Sequence, residues 1–286
     1  MNDARERALI DDILDRALAE DLGDAGDITS RSLFDEDTPA TAVIRSNQDG
    51  ILSGAYLLAP LFGKIDPSLE VVPLVGEGAS LTSGTDICRI AGGIRGILAG
   101  ERTALNFLQR LSGIATAAAR YVSRLRGTHA RLLDTRKTTP TLRYFEKKAV
   151  VAGGGGNHRF GLYDMVLIKD THVSAAGGVA PAVRKARSHA ARNHGIAIEV
   201  EVQTPAQFDA AVAEKPDRIM LDNMSCEDMA ACIERLRARG TSIETEASGT
   251  ITEERIAEVA RTGVDFISVG AITHSQKALD IHLLIL

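Results

Sequence analysis

The chain of 286 residues has no tryptophan, only 3 cysteines and no run of apolar residues long enough to cross a bilayer. A transmembrane helix needs about 20 such residues, so we expect no membrane span. Cys88, Cys226 and Cys232 form no CxxC pair and no metal-site spacing, which predicts reduced thiols in a cytosolic protein. The first residues, MNDARERALIDDILDRALAED, are charged throughout and lack the apolar core of a signal peptide, so we expect a cytoplasmic location.

Positive charge is also scarce, because 33 lysines and arginines face 38 aspartates and glutamates and give a net charge of −5. A protein that binds nucleic acid or an anionic membrane would be expected to carry a basic face, so neither is expected as a partner. The window from Arg131 to His172 differs, since its eight bases and four acids give 8 − 4 = +4. A basic window in an acidic chain predicts a pocket for a small anionic ligand.

The apolar pattern changes along the chain. A helical spacing runs from Leu9 to Leu22, short strand-like runs follow between Thr38 and Thr85, and a second long helical pattern covers Ile97 to Leu125, with a bend expected at Gly113. After Gly127, short runs rich in Val, Ile and Leu recur near residues 131, 165, 198, 218, 243 and 266. Helix-like segments separate them: 140–151, 178–193, 205–213, 226–238 and 253–262.

Strand and helix in repeated alternation predict parallel strands with crossover helices, and six or seven such units favour an α/β barrel. The first 110 residues or so are predicted to form a separate, smaller α/β domain. An open doubly wound sheet is the alternative, although no G-x-G-x-x-G follows a first strand.

Each apolar run of the second half ends in residues capable of chemistry. These ends are Asp134-Thr-Arg-Lys137, Lys169-Asp170, Glu199 and Glu201, Asp222-Asn223, Glu246-Ala-Ser-Gly249 and Gly270. In a β/α barrel the carboxyl ends of the strands form one rim, and active sites lie there. The alignment of polar residues therefore favours an enzyme over a passive scaffold.

Two basic motifs stand out in the window. Arg136 and Lys137 precede Pro140 and are predicted to lie at a helix N-terminus, which favours an anion; a solvated basic turn with Thr139 as N-cap is the alternative. The glycine run from Gly153 to Gly156 is predicted to turn His158 and Arg159 inward, unless it is a flexible linker. Arg159 suits a planar carboxylate, whereas a lone histidine is more often structural.

Three further groups are candidate site residues. Lys169 is predicted at the rim, unless Asp170 or Glu201 pairs with it for structural reasons. Glu201 and Asp222 suit a Mg²⁺–phosphate substrate or ribose hydroxyls. Ser248-Gly249-Thr250 and Gly270-Ala271 end the last two strands, where barrel enzymes often hold a phosphate on backbone amides, and His274 is close in sequence.

The motifs together resemble the quinolinate phosphoribosyltransferase family (nicotinate-nucleotide pyrophosphorylase, carboxylating). The resemblance runs almost end to end through LAEDLGDAGDIT, ERTALNFLQRLSGIAT, LLDTRKTTP, GGGGNHRFGLYDMVLIKD, IEVEV, IMLDN, EASG and VGAITHS. It implies an open α/β barrel over residues 111–286 and an N-terminal α/β sandwich domain over residues 1–110, against which the tail from about 275 would pack.

The resemblance also implies the reaction of quinolinate with phosphoribosyl pyrophosphate (PRPP) and Mg²⁺, with no tightly bound organic cofactor. The products would be nicotinate mononucleotide, pyrophosphate and CO₂, formed in NAD biosynthesis. It further implies a homodimer with a shared active site, with a hexamer as the alternative assembly.

Residue roles follow from the same resemblance, motif by motif. Arg136, His158, Arg159 and Lys169 would hold the quinolinate carboxylates, and Arg102 would reach in from the partner subunit. Lys137 would contact PRPP, with Glu201 and Asp222 near its ribose and Mg²⁺; Lys137, Lys169, Glu201 and Asp222 are the expected catalytic residues. The 5′-phosphate and the rest of the substrates would contact Thr135, Ser248, Gly249, Thr250, Val269, Gly270, Ala271 and His274.

Four positions depart from the family pattern: Thr141 and Thr250 stand where glycine is usual, Gly156 where threonine is usual, and Thr171 where asparagine is usual. Thr250 is the one expected to touch a substrate, so it bears on PRPP affinity. The competing functions are a related barrel protein of molybdenum transport, a transferase that uses free nicotinate, and a non-catalytic phosphate-ligand sensor.

Overall fold

The computed structural model describes residues 3–36, 38–191 and 195–286. Two compact units divide the chain. The first unit comprises Met1–Ala117, Pro140–Gly153 and Ser275–Leu286, and the second comprises Ala118–Thr139 and Gly154–His274. The first unit is therefore discontinuous, since it takes up one central helix and the C-terminal strand as well as the first 117 residues. A single linear boundary cannot express this arrangement.

The elements of the first unit are α1 (Asp3–Leu22), α2 (Ile28–Leu33), β1 (Pro39–Ser46), β2 (Gly50–Ile51), a 3₁₀ turn (Ala55–Leu57), α3 (Leu58–Ile65), β3 (Glu70–Pro73), β4 (Ser80–Leu81), β5 (Asp86–Gly93), most of α4 (Ile94–Arg124, of which Ala118 onwards belongs to the second unit), α5 (Arg143–Ala152) and β12 (Ile281–Ile285). Four of the strands form an antiparallel sheet of order β12-β1-β5-β3. The last strand pairs with β1 through contacts such as Ile44 with Leu283. Ile44, Ile87 and Ile90 are fully buried in this sheet.

Helix α4 continues without interruption through Gly113, where the sequence predicted a bend. A Cβ atom at Gly113 would lie 2.2 Å from the carbonyl oxygen of Lys277. The close approach of the C-terminal segment therefore accounts for the glycine at this position.

The second unit is a six-stranded parallel sheet of order β6-β11-β10-β9-β8-β7, with helices between the strands. Its elements are β6 (Arg131–Leu133), β7 (Val166–Ile168), α6 (Asp170–Ala176), α7 (Val179–Ala190), β8 (Ile198–Val202), α8 (Pro205–Glu214), β9 (Arg218–Asp222), α9 (Cys226–Ala238), β10 (Glu244–Ser248), α10 (Ile256–Arg261), β11 (Phe266–Ser268) and α11 (Ala271–His274). All six predicted strand positions are confirmed.

Strands β6 and β7 stand at the two ends of this order, so the barrel is open. The glycine run lies along the free edge of β6, where Gly156 donates its N–H to Leu132 O at 2.8 Å and accepts from Asp134 N–H at 3.1 Å. A Cβ atom at Gly156 would approach the Leu133 side chain to 3.0 Å. Small residues thus let the chain follow β6 closely before it reaches His158.

Three helix predictions need correction. The helix predicted from Pro140 begins at Arg143 with Leu142 as its N-cap, so Thr139 is not the cap. Arg136 and Lys137, six or more residues earlier, therefore do not form a helix N-terminus. Thr141 has φ +70°, a left-handed conformation that cannot continue into a right-handed helix.

The helix predicted over 178–193 ends at Ala190, and Asn193 lies outside the described residues. The helix predicted over 253–262 is shorter, from Ile256 to Arg261. Helix α6 was not predicted.

Within the described ranges, no helix is both long enough and apolar enough to span a membrane.

Candidate active site

A cleft of about 610 Å³ lies at the carboxyl ends of the parallel strands of the second unit. It is formed there because parallel strands all end at the same edge of the sheet and leave their following loops side by side. The residues that line it are Thr135, Arg136, Lys137, His158, Arg159, Leu167, Lys169, Asp170, Glu201, Met220, Asp222, Asn223, Ser248, Gly249, Thr250 and Ser268.

Four cations reach this cleft from three segments. Arg136 and Lys137 follow β6, Arg159 follows the glycine run, and Lys169 follows β7. The main chain of Lys137 is fixed on both sides, since its N–H donates to Thr135 Oγ1 at 3.0 Å and its carbonyl accepts from Thr273 Oγ1 at 2.7 Å. Positive charge from three separate segments therefore converges on one cleft.

Arg159 is half-buried, and its Nη1 donates to the carbonyl oxygen of Met165 at 3.1 Å. Burial and the nearby Arg136 lower the pKa of its guanidinium. Arginine still keeps its proton at any physiological pH, so the two guanidinium groups repel each other in a partly dry site. An anion that lies between them relieves this repulsion.

Carboxylates from the next two strands also line the cleft. Glu201 Oε1 lies 3.5 Å from Lys169 Nζ, and Glu201 Oε2 accepts from Asp170 N–H at 3.3 Å. Asp222 ends the next strand and accepts from Asn223 Nδ2 at 3.1 Å. Glu201 thus pairs with Lys169, as the structural interpretation of that lysine expected, yet both side chains line the cleft and remain accessible to a ligand.

The turn after β10 completes the cleft. Asn223 adopts a left-handed conformation with φ +54°, and its Oδ1 accepts from Thr250 N–H at 3.3 Å. Gly249 has φ +123° and packs on Asn223 so closely that a Cβ atom would lie 2.4 Å from Oδ1. Gly270 lies against Lys137, whose Cδ would be 2.8 Å from a Cβ at that position. The cleft is therefore lined mainly by backbone and small residues at the turns after β10 and β11.

A buried cluster lies beneath the cleft. His158 Nε2 lies 3.0 Å from Glu199 Oε2 and 3.5 Å from Glu246 Oε1, and Arg218 Nη1 donates to Glu246 Oε2 at 3.1 Å. Both glutamates are fully buried. Burial raises the pKa of each carboxyl above its ordinary value, because a charge is poorly solvated there.

The structure brings together in the cleft eleven of the predicted site residues: Thr135, Arg136, Lys137, His158, Arg159, Lys169, Glu201, Asp222, Ser248, Gly249 and Thr250. His274 lies beside Gly270, Val269 is buried just after β11, and Ala271 begins α11. Arg102 lies exposed on α4 in the first unit.

Sequence reasoning placed Glu199 and Glu246 among the polar strand ends, but they are interior residues of β8 and β10. It did not single out Leu167, Met220 and Ser268, which also line the cleft. Two of these are apolar strand residues, so the sequence could not distinguish them from core residues. Ser268 does carry a signal, since a serine ends the apolar run FIS.

The positive charge that the window from Arg131 to His172 predicts for the site also needs correction. Only four of its eight bases line the cleft. Three others lie on α5, which belongs to the first unit, and there Lys148 forms an ion pair with Glu6 at 2.5 Å. Arg131 begins β6 and so lies at the opposite end of the strand. Proximity in sequence therefore overstated the positive charge at the site.

Comparison with known proteins gives two family matches that cover most of the chain. Residues 27–112 match the N-terminal domain model of quinolinate phosphoribosyl transferase, and residues 114–284 match its C-terminal domain model.

Among similar proteins, the probable nicotinate-nucleotide pyrophosphorylase [carboxylating] of Bacillus subtilis is 42% identical over 271 residues, which cover 95% of this chain and 91% of the relative. The enzyme of the same name from Mycobacterium leprae is 41% identical over 276 residues, with 95% of each chain covered. The solved structure of nicotinate-nucleotide pyrophosphorylase from Francisella tularensis superposes with a TM-score of 0.90 at 38% identity, covering 98% of this chain and 96% of the other.

Proposed function

The chain belongs to the quinolinate phosphoribosyltransferase family, and we propose that it transfers the phosphoribosyl group of PRPP to quinolinate with loss of CO₂. The products are nicotinate mononucleotide and pyrophosphate, in de novo NAD biosynthesis. The observation that carries the proposal is the set of charged side chains that line one cleft. Arg136, Lys137, Arg159 and Lys169 supply four cations, and Glu201 and Asp222 supply carboxylates, with Lys169 and Glu201 3.5 Å apart.

The cations match the acceptor substrate. Quinolinate is a pyridine with two adjacent carboxylates, so it needs several fixed hydrogen-bond donors of positive charge. Arg136, Arg159 and Lys169 are proposed to bind these carboxylates, and each charge-assisted hydrogen bond contributes about 1.5–3 kcal/mol. Lys137 is proposed to contact PRPP, because its side chain lies against Gly270 and its main-chain carbonyl accepts a hydrogen bond from Thr273 Oγ1 at the neighbouring turn.

The carboxylates match the sugar. Glu201 and Asp222 end adjacent parallel strands, where their oxygen atoms suit ribose hydroxyls and also a hard divalent cation. Mg²⁺ bound with PRPP would be held there and would neutralise charge on the pyrophosphate as it departs. The 5′-phosphate is proposed to lie on the backbone at Ser248, Gly249, Thr250 and Gly270, with His274 beside it.

The proposed reaction follows from these positions. The bond from the ribose C1 to pyrophosphate breaks as the lone pair of the pyridine nitrogen forms a bond to C1, and Glu201 and Asp222 stabilise the positive charge that develops on the ribose. The new pyridinium then accepts the electron pair of the bond to the 2-carboxylate, which leaves as CO₂, and C2 takes up one proton. The protein contributes orientation and charge stabilisation, with no covalent intermediate.

The direct test supplies quinolinate, PRPP and Mg²⁺ and follows nicotinate mononucleotide by chromatography, with nicotinate replacing quinolinate in a parallel assay. Arg159→Ala should lower kcat/KM for quinolinate by about 10²–10³-fold, because it removes two charge-assisted hydrogen bonds. Arg184→Ala, on α7 and paired with Glu214, is the control and should stay within about twofold. A folded wild-type chain that forms no product, or that prefers nicotinate, would refute the proposal.

Arg102 is proposed to complete the site of a partner subunit in a homodimer. It lies exposed on α4 in the first unit, whereas the residues that line the cleft belong to the second unit. Arg102→Ala and Lys137→Ala should each lack activity alone. After subunit exchange in equal amounts, half of the dimers should contain one chain of each variant, and one of the two sites in such a dimer is intact. The mixture should therefore recover roughly a quarter of wild-type activity. No recovery after subunit exchange, verified by sedimentation, would contradict the shared site.

A further inference from the structure

The position of His158 raises a question that the proposed function leaves open. Its family motif suggests a substrate contact, yet only 6% of its side chain is exposed, although the residue lines the cleft. The contacts of its two ring nitrogens decide which role it has.

The first nitrogen contacts the next residue. His158 Nδ1 accepts a hydrogen bond from the main-chain N–H of Arg159 at 2.7 Å. A ring nitrogen that accepts a hydrogen bond carries no proton, so the imidazole is neutral and its single proton is on Nε2.

The second nitrogen faces the interior. Nε2 is inaccessible to solvent and lies within 3.0–3.5 Å of the buried carboxylates of Glu199 and Glu246. Those carboxylates are held in turn, since Arg218 contacts Glu246 and stacks 4.0 Å over the Phe266 ring. The nitrogen that carries the proton thus lies among buried side chains and is not exposed to the cleft.

This arrangement excludes a direct contact with a substrate carboxylate. An ionised carboxylate only accepts hydrogen bonds, and it therefore needs a donor. Nδ1 is an acceptor in this tautomer, and Nε2, which carries the only N–H of the ring, is inaccessible to solvent and lies 3.0 Å from Glu199 Oε2. The same tautomer disfavours a metal ion between His158, Glu199 and Glu246, because Nε2 would have to give up its proton to coordinate one.

The backbone around His158 shows what the ring does instead. The N–H of His158 donates to the buried Asp134 at 2.9 Å, and the N–H of Arg159 is bound by the ring. Further out, the guanidinium of Arg159 is bound to the carbonyl oxygen of Met165. The segment that carries Arg159 is therefore anchored at three successive points.

We propose that His158 is a positioning residue that holds the main chain of Arg159 and so directs its guanidinium at the substrate, without touching the substrate itself. The proposal rests on the proposed function, which makes Arg159 the carboxylate-binding group. Glu199 and Glu246 serve as the internal partners that fix the tautomer and orientation of the ring.

The first test is spectroscopic and does not depend on turnover. In the chain labelled with ¹⁵N in its histidine side chains, with His158→Asn and His158→Gln used to assign the signals, His158 should be neutral with the proton on Nε2. Saturating quinolinate should leave it in that state. A proton on Nδ1, or conversion to imidazolium when quinolinate is added, would overturn the proposal.

The second test is kinetic. Asparagine places its Oδ1 near the position of Nδ1 and can accept from Arg159 N–H, whereas glutamine reaches the carboxylates but not that N–H. His158→Asn should therefore keep KM for quinolinate within about threefold of wild type, while His158→Ala and His158→Gln should raise it about tenfold or more. KM for PRPP should change less than about twofold in all three variants.

His129→Ala is the matched control, because His129 pairs with Asp265 at 3.6 Å at the other end of the strands. It should leave both KM values unchanged. An asparagine variant as impaired as the alanine variant would contradict the positioning role. Absence of product in the wild-type enzyme would refute the proposed function and would leave the spectroscopic result to decide the role of His158.

Discussion

The two ends of the second unit's sheet are built from the same six strands, yet their clefts differ in how charge is arranged. The cleft at the amino ends, about 490 Å³, is lined by Arg131 and Arg237 against Glu244 and Asp265, which gives 2 − 2 = 0. Its two acids have close partners: Glu244 pairs with Arg218 at 2.8 Å, and Asp265 lies 3.6 Å from His129 Nε2. The first of these pairs links the neighbouring strands β9 and β10.

The cleft at the carboxyl ends is lined by four cations and three acids, which gives 4 − 3 = +1. The cations come from the segments after β6, the glycine run and β7, and Glu201 and Asp222 come from β8 and β9. Lys169 and Glu201 approach each other to 3.5 Å, but the cations remain in excess. An excess of like charge in one partly dry cleft costs folding free energy, and a ligand with an anionic part offsets that cost.

The sharpest test of this difference compares two arginines at the opposite ends of β6. Arg136 follows the carboxyl end of β6, and Arg131 begins the same strand at the amino end. Arg136→Ala should lower kcat/KM for quinolinate by about 100-fold through the loss of charge-assisted hydrogen bonds, and Arg131→Ala should stay within about twofold. Steady-state kinetics of both purified variants measures it. Equal losses would show that the two ends do not differ in function.

A second pair compares glycines at the two ends. Gly249 and Gly263 both have left-handed φ values, +123° and +91°, so alanine at either should cost about 1–2 kcal/mol of unfolding free energy. Only Gly249→Ala should also raise KM for PRPP about tenfold, because its Cβ would displace Asn223 from Thr250 N–H. Urea denaturation and kinetics together separate the effects. A raised KM for PRPP in Gly263→Ala would count against the proposed phosphate position.

The third prediction concerns the buried cluster beneath the cleft and the pH dependence of the free energy of unfolding. Burial raises the pKa of Glu246 to about 7, so the folded state binds this proton more tightly than the unfolded state does. Its contribution to stability is therefore complete below the ordinary pKa near 4.5 and is lost as pH rises through about 7. Glu246→Gln removes this titration and should gain about 1–3 kcal/mol relative to wild type between pH 5 and 8.

The measurement is urea denaturation at several pH values. Glu244→Gln is the matched control, because Glu244 lies on the same strand, contacts the same Arg218 and is half exposed. Its stability relative to wild type should not follow this pH trend. A Glu246→Gln variant whose difference from wild type is constant with pH would be inconsistent with the raised pKa.

The smallest expected effect is at Thr141, outside both clefts. A β-branched residue with φ +70° is strained, and glycine is not. Thr141→Gly should raise the free energy of unfolding by about 0.5–1 kcal/mol, the relief of strain exceeding the added freedom of the unfolded chain. Thr139→Gly, at a position without left-handed φ, should lower it instead. Thermal and urea denaturation compare the two, and a loss of stability in Thr141→Gly would disprove the strain.

Much of this architecture was predictable. Parallel strands end at one edge, so the residues after each apolar run had to converge, and the sequence alone placed Arg136, Lys169, Glu201 and Asp222 in one cleft. Local rules failed where a distant contact decides the conformation. The start of α5 was misplaced because Thr141 is left-handed, and Gly113 was interpreted as a bend because the carbonyl of Lys277 cannot be seen in the sequence near it.

The sequence by itself determined the alternation of strand and helix, the family and the chemical types at the strand ends. Only the tertiary structure decided that α5 belongs to the first unit, which removes three bases from the cleft, and that Glu199 and Glu246 meet His158 beneath it. The reason is physical: periodicity reports which face of an element is buried, whereas the charge, tautomer and accessibility of a side chain depend on neighbours that the chain brings from far away.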